Sequence, residues 1–149
     1  MSDYTTYEVR VYANGTKWWW LNGKRHREDG PAREWACGTK QWYLHGNCHR
    51  EDGPAIEYAD GGKHWLLHGT RHREDGPAIE RPDGYKAWYL HGNRHREDGP
   101  AIEWPDGYKA WYLNGEELTE EEHRQRTSSQ TCNGKIVEID GIKYKLTEV

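Results

Sequence analysis

His26-Arg27-Glu28-Asp29-Gly30-Pro31-Ala32 occurs again, letter for letter, at residues 49–55, 72–78 and 95–101. Each copy starts 23 residues after the last, with no insertion or deletion. An unbroken period of this length means one supersecondary unit stacked in a row. A stack copies the same side chain to every rung, whereas a catalytic site needs unlike residues converging once. The period therefore points to a scaffold and away from an enzyme.

Aligning on the period exposes constant columns between these links. Gly15, Gly38, Gly61, Gly84 and Gly107 form one, and Gly23, Gly46, Gly69, Gly92 and Gly115 another. Lys17/40/63/86/109, Trp19/42/65/88/111 and Leu21/44/67/90/113 complete the set, giving five hairpin cores joined by four links. In the last unit Ala101 to Trp104 reads as a strand and Pro105-Asp106-Gly107 as a turn. Tyr108 to Leu113 is a second strand, and Asn114-Gly115 turns the chain again. Asp-Gly-Pro in each link is a further turn signal. The expected architecture is mostly β: an elongated meander of about ten short antiparallel strands over residues 1–115, followed by a C-terminal cap over 116–149. The never-varying Trp and Leu columns are the expected core.

The cap breaks the period. Thr119 and Glu122 form a capping box, and three acids in the first turn suit the helix dipole, so a helix is expected at about 120–127. Thr127 to Asn133 reads as a polar linker. A hairpin is expected at about 135–146 around Asp140-Gly141, with Ile139 facing Ile142, Val137 facing Tyr144 and Glu138 facing Lys143. It packs on the helix, caps the open sheet edge or pairs with a second copy, the last of which would make a homo-oligomer through this segment.

Composition narrows the function. Mean hydropathy is −1.23, yet nine Trp and ten Tyr supply large buried areas from few residues. Residues 116–149 carry eight acids and five bases, leaving 17 and 16 in the repeats, which are therefore balanced. That balance argues against a basic stripe for nucleic acid. Three irregularly spaced cysteines (Cys37, Cys48, Cys132) read as free thiols of a reducing compartment. With no signal-peptide pattern and no apolar run near 18 residues, a cytoplasmic, non-membrane protein is expected.

The repeats carry residues for three chemistries. The column His26, His49, His72 and His95 recurs every second strand, ~9–10 Å apart, too far for neighbours to share a metal whose bonds are about 2 Å; no metal and no cofactor are expected. Arg-Glu-Asp triplets such as Arg73-Glu74-Asp75 could split carboxylate pKa values, but four equal copies read better as a charge ladder. Arginines beside aromatics could hold a nucleotide's phosphates, with Arg71 and Arg94 as the alternative ligand-binding pair. Specificity on a uniform lattice must come from the columns that vary. The expected partner-binding residues are Trp18, Trp20, Trp35, Tyr43, Tyr58, Tyr89, Trp104 and Tyr112, because aromatics and Arg dominate interface hot spots.

The spacing in Asn22-Gly23-Lys24-Arg25-His26, with Gly46/His49, Gly69/His72 and Gly92/His95, resembles the MORN repeat, a 23-residue β-hairpin module. The full unit looks like a variant MORN-like repeat of bacteriophage and giant-virus accessory proteins. Arg follows His where Gly is usual and the link is longer, which together with the balanced charge argues against membrane-lipid binding. The resemblance implies a non-catalytic phage accessory protein that binds and blocks a host defence or regulatory protein in the host cytoplasm. The alternatives are a sponge for a nucleotide signal and a homo-oligomeric assembly protein.

Overall fold

The computed structural model describes the backbone over residues 6–132, 136–139 and 142–145, and side chains over 6–128. The repeats are β-hairpins in an antiparallel meander. Unit one holds β1 (Tyr7–Val11), β2 (Lys17–Leu21) and β3 (Lys24–Arg25). The second holds β4 (Arg33–Glu34), β5 (Lys40–Gln41), β6 (Tyr43–Leu44) and β7 (Asn47–Cys48). The third holds β8 (Ile56–Glu57), β9 (Lys63–His64), β10 (Leu66–Leu67) and β11 (Thr70–Arg71). The fourth holds β12 (Ile79–Glu80), β13 (Lys86–Ala87), β14 (Tyr89–Leu90) and β15 (Asn93–Arg94). The last holds β16 (Ile102–Glu103), β17 (Lys109–Leu113) and β18 (Glu116–Leu118). The main sheet runs β1-β2-β4-β5-β8-β9-β12-β13-β16-β17-β18 and does not close, while β6-β7, β10-β11 and β14-β15 pair as separate ribbons beside it.

The long second strand expected in each unit divides in the middle units, and tryptophan is the pivot. The N–H of Trp88 donates to the carbonyl of Ala101 in the next link, and the carbonyl of Trp88 accepts from His95 N–H of its own unit. Residues before the pivot pair with strands of the main sheet, and those after it pair within the ribbon. Ribbons bond to one another through Gly92 N–H to the Arg71 carbonyl and Arg73 N–H to the Tyr89 carbonyl, a pair repeated at every step.

Each turn has the residues its geometry demands. Asn22, His45, His68, His91 and Asn114 have φ between 49° and 52°, and each precedes a glycine that is also left-handed. Two consecutive positive φ values make the tight turn whose twist matches a hairpin, and Asn-Gly or His-Gly tolerates them. At the other end of the hairpin, Asp83 Oδ1 accepts Tyr85 N–H at 2.9 Å and Gly84 N–H donates to the Arg81 carbonyl.

The core differs from the expected Trp/Leu columns. Ala32, Ala55, Ala78 and Ala101 are 0% exposed, and the largest cluster gathers Ile79, Tyr85, Ala87, Ala101, Ile102, Ala110 and Tyr112. The Trp column is only half-buried. Two-residue strands cannot bury an indole on all sides, so arginine guanidiniums cover it instead, as described below.

In the cap, residues 116–118 form β18 with Trp111 opposite Leu118. Helix α1 spans Glu120–Cys132, longer than the expected 120–127, so most of the expected linker is helical. The capping box forms: Glu122 N–H donates to Thr119 Oγ1, and Thr119 N–H donates to Glu122 Oε2 at 2.8 Å. The helix docks through buried His123, whose Nε2 lies 2.6 Å from the Arg96 carbonyl, and through a two-bond Arg126–Glu116 pair. β19 (Ile136–Ile139) and β20 (Ile142–Lys145) pair in the expected register, Ile139 with Ile142, Val137 with Tyr144 and Glu138 with Lys143. The expected turn residues Asp140 and Gly141 lie outside the described residues.

Candidate functional site: an arginine–aromatic face

Strand register divides the repeats into two faces. Cross-strand partners share a face, so Lys17, Glu34, Lys40, Glu57, Lys63, Glu80, Lys86, Glu103 and Lys109 line one side. This link face also carries the His-Arg-Glu-Asp-Gly-Pro-Ala strings. Arg73 shows how each string works. Its Nε donates to Asp75 at 2.9 Å, and its Nη1 donates both to the Pro77 carbonyl and to Glu80 at 2.9 Å. Its guanidinium lies 3.9 Å from the centre of the Trp65 ring. Arg27, Arg50 and Arg96 repeat the arrangement on Trp19, Trp42 and Trp88. The link glycine is there for this arginine: a Cβ on Gly76 would stand 3.0 Å from Arg73 Cζ. Asp29, Asp52, Asp75 and Asp98 titrate below the ordinary carboxylate range because these arginines donate to them.

The histidines are equally committed. His72 Nδ1 accepts the N–H of His91, one unit on, at 3.1 Å, and the two rings pack tilted at 44° with centres 4.5 Å apart. The same contact joins His26 to His45 and His49 to His68. Because Nδ1 accepts, the proton sits on Nε2, which faces the exposed Glu74 at 3.6 Å. Among the described residues, no three His, Cys, Asp or Glu side chains gather as for a metal ion.

The opposite face carries the columns that vary. Trp18, Arg33, Gln41, Ile56, His64, Ile79, Ala87, Ile102 and Ala110 lie opposite one another across successive strands. Trp20 opposite Arg25, Tyr43 opposite Cys48, Leu66 opposite Arg71 and Tyr89 opposite Arg94 continue it into the ribbons. Between Glu8 at one end and Glu117 at the other, these strands place no carboxylate on this face.

Seven of the eight expected partner-binding residues are accessible here. Tyr58 and Trp104 are exposed, and Trp18, Trp20, Trp35, Tyr43 and Tyr89 are half-buried, whereas Tyr112 is buried in the core cluster. They fall into separate groups. Trp18, Trp20, Trp35 and Tyr43 surround Arg25 and Arg33: Arg33 lies 3.6 Å over Trp35 and 4.3 Å over Trp18, and Arg25 lies 5.5 Å over Trp20 and 5.4 Å over Tyr43. Arg94 donates to the hydroxyls of Tyr89 and Tyr112, and Arg71 lies over Tyr89. Tyr58 packs edge-on to His64, and Trp104 edge-on to Tyr85.

Arg33 and Arg81 were not among the candidates, and one signal would have found Arg33. It stands in the column filled by Ile56, Ile79 and Ile102, a cation where other units place an apolar core residue. Burial, and then the charge of Arg25, push its guanidinium below its ordinary value. Arg25 Nε, Arg33 Nε, Trp18 Nε1 and Trp20 Nε1 are buried donors with no acceptor among the described residues. Leaving such a donor unmatched costs about 1–3 kcal/mol.

No family model matches the chain, and no curated protein matches it. Among the described residues, no helix is long and apolar enough to cross a membrane.

Clefts occur on both faces. Those between successive links, of about 560–720 Å³, are lined by link arginines already paired to aspartates, beside exposed glutamates such as Glu74. A cleft of about 450 Å³ opens on the variable face beside His64 and Arg81, where Gly62 stands in the column that holds Thr39 and Tyr85. Burial, then Arg71 and Arg81, lower the pKa of His64, so this ring is neutral at neutral pH.

Proposed function

We propose that the chain is a variant MORN-like repeat protein that binds another protein without catalysis. Its variable face docks on the partner, and its link face holds the stack rigid. The phage resemblance makes the partner a host defence or regulatory protein, blocked by occupation of its surface; that step is by analogy. The observation that supports the reading is the contrast in commitment. The link arginines are each paired to two carboxylates, whereas Arg25, Arg33, Arg71, Arg81 and Arg94 have no carboxylate partner among the described residues and lie beside aromatic rings. Arg and aromatic residues at low carboxylate content are the composition of interface hot spots.

Affinity capture from bacterial lysate with the whole chain, beside a Trp20→Ala/Tyr43→Ala variant, tests this. The expected result is a stoichiometric protein partner retained by the parent and lost by the variant. No such partner, or equal retention by both, contradicts it. A nucleotide sponge would instead show a saturable thermal shift with a nucleotide panel, abolished by Arg71→Ala or Arg94→Ala.

A further inference from the structure

We infer that the end of the variable face built by Arg25, Arg33, Trp18, Trp20 and Tyr43 is a carboxylate-binding site, and that the partner presents an acidic segment to it. The inference rests on the protein-binding reading above and names the chemistry of that partner.

Three observations carry it. First, Arg25 and Arg33 share the Trp18 ring, at 5.5 and 4.3 Å from its centre, with no carboxylate within 4 Å among the described residues. Two like charges on one half-buried ring repel, and a bound anion between them removes that repulsion and supplies acceptors where N–H donors have none. Second, the site is made by departure from the repeat: Arg33 replaces the isoleucine of the other units, and it faces Trp18, whose column varies through Gln41, His64, Ala87 and Ala110. A residue needed only for the stack would follow the other units. Third, the remaining cations extend the site along the stack. Arg71 and Arg94 occupy the column of Arg25, one repeat apart, and two strands span about 9.5 Å. A partner segment in the polyproline II conformation returns to the same side every third residue, about 9.3 Å along, so acids at that interval match the column.

Carboxylate is favoured over a nucleic acid by what the rings already hold. A base needs a free ring face to stack on. Guanidiniums lie over Trp18, Trp20, Trp35 and Tyr43, so the group left to recognise is charge.

The test is fluorescence anisotropy of the whole chain with a dye-labelled twelve-residue poly-glutamate peptide. Poly-glutamine, oligo-dT of equal length and inorganic phosphate serve as competitors. Poly-glutamate is expected to bind, and binding is expected to weaken as NaCl rises, while poly-glutamine fails to compete. Arg25→Gln with Arg33→Ile is expected to weaken binding at least ten-fold with an undiminished melting temperature, because isoleucine is what other units carry there. Arg71→Gln, at an exposed position, is expected to weaken it less. Unchanged affinity in the double variant, no binding by the parent, or better competition by oligo-dT or phosphate overturns the inference. If captured partner is lost with Trp20→Ala/Tyr43→Ala but kept with Arg25→Gln/Arg33→Ile, the acidic site is wrong and the scaffold reading stands.

Discussion

Arg71 and Arg73 are two residues apart in the chain and have opposite situations. Arg73, on the link face, is mostly covered, donates to two carboxylates and a carbonyl, and covers Trp65. Arg71, on the variable face, is exposed, faces Tyr89 and has no carboxylate partner among the described residues. The two faces generalise that pair. On one face the link arginines spend their charge on neighbouring carboxylates, four times over in the same way. The other pairs Arg10 with Glu8 at its first strand, leaves Arg25, Arg33, Arg71, Arg81 and Arg94 without a carboxylate partner among the described residues, and varies from rung to rung. Net charge averages over the two, which is why the balanced composition conceals a cationic face.

The largest expected effect breaks the pair directly. Arg73→Ala removes both ion pairs, a backbone bond and the cover of an indole, and is expected to cost about 2 kcal/mol in chemical denaturation, a value reduced for the partial exposure of its partners. Arg71→Ala is expected to fall within about 0.5 kcal/mol of the parent. Equal losses would erase the distinction between faces. His72→Ala comes next. It leaves the His91 N–H without its acceptor and removes a ring contact, for an expected loss of about 1 kcal/mol, whereas Glu74→Ala beside it leaves stability unchanged. On the variable face Arg33→Ile is expected to raise stability, by up to about 1 kcal/mol, because it removes a desolvated, repelled cation. A fall in melting temperature would mean that Arg33 holds the fold together.

Acid separates the faces more gently. The link aspartates have folded pKa values below their ordinary 3.8 because of their arginines. Their stabilisation is therefore complete above that value and fades as pH falls through the depressed ones. His64 also has a depressed pKa, below 6.5, chiefly through burial. Its neutral form belongs to the fold, so its contribution is present above 6.5 and is lost as pH falls through the lower folded value. Melting temperatures from pH 7 to 2 are expected to show an early decline that His64→Ala removes and a later one that it does not. A single decline unaffected by His64→Ala would contradict this. The smallest effect is at sulfur. Exposed Cys37, its pKa lowered by Thr39, is expected to alkylate before Cys48, whose thiol burial pushes up to about 11. Peptide mass spectrometry reads the order.

Much of this architecture was legible in the sequence. The exact period, the Asn-Gly and His-Gly turns and the Thr119/Glu122 box each encode a local geometry, and local geometry is what spacing reports. The histidine column makes hydrogen bonds to the turn backbone and tilted ring contacts between units. What escaped was burial. The constant Trp column looked like a core, but Trp19, Trp42, Trp65 and Trp88 each lie under a guanidinium lid supplied by the link, a contact such as that of Arg73 with Trp65 that no hydropathy pattern displays. The Arg25/Arg33 pair escaped because it requires knowing that Trp18 lies opposite Arg33 and Trp20 opposite Arg25. Period-two alternation applied to the charged residues, rather than to the apolar ones alone, would have separated the two arginine sets.

The central claim is that the two faces differ in how their arginines are committed, and arginine modification with phenylglyoxal, read residue by residue by mass spectrometry, tests it most directly. The account predicts that Arg71, Arg81 and Arg94 react first, that Arg27, Arg50, Arg73 and Arg96 react last, and that poly-glutamate protects the variable-face arginines, Arg25 and Arg33 among them, and not the link arginines. Link arginines reacting as fast as those three, or no protection of the variable face, would contradict it.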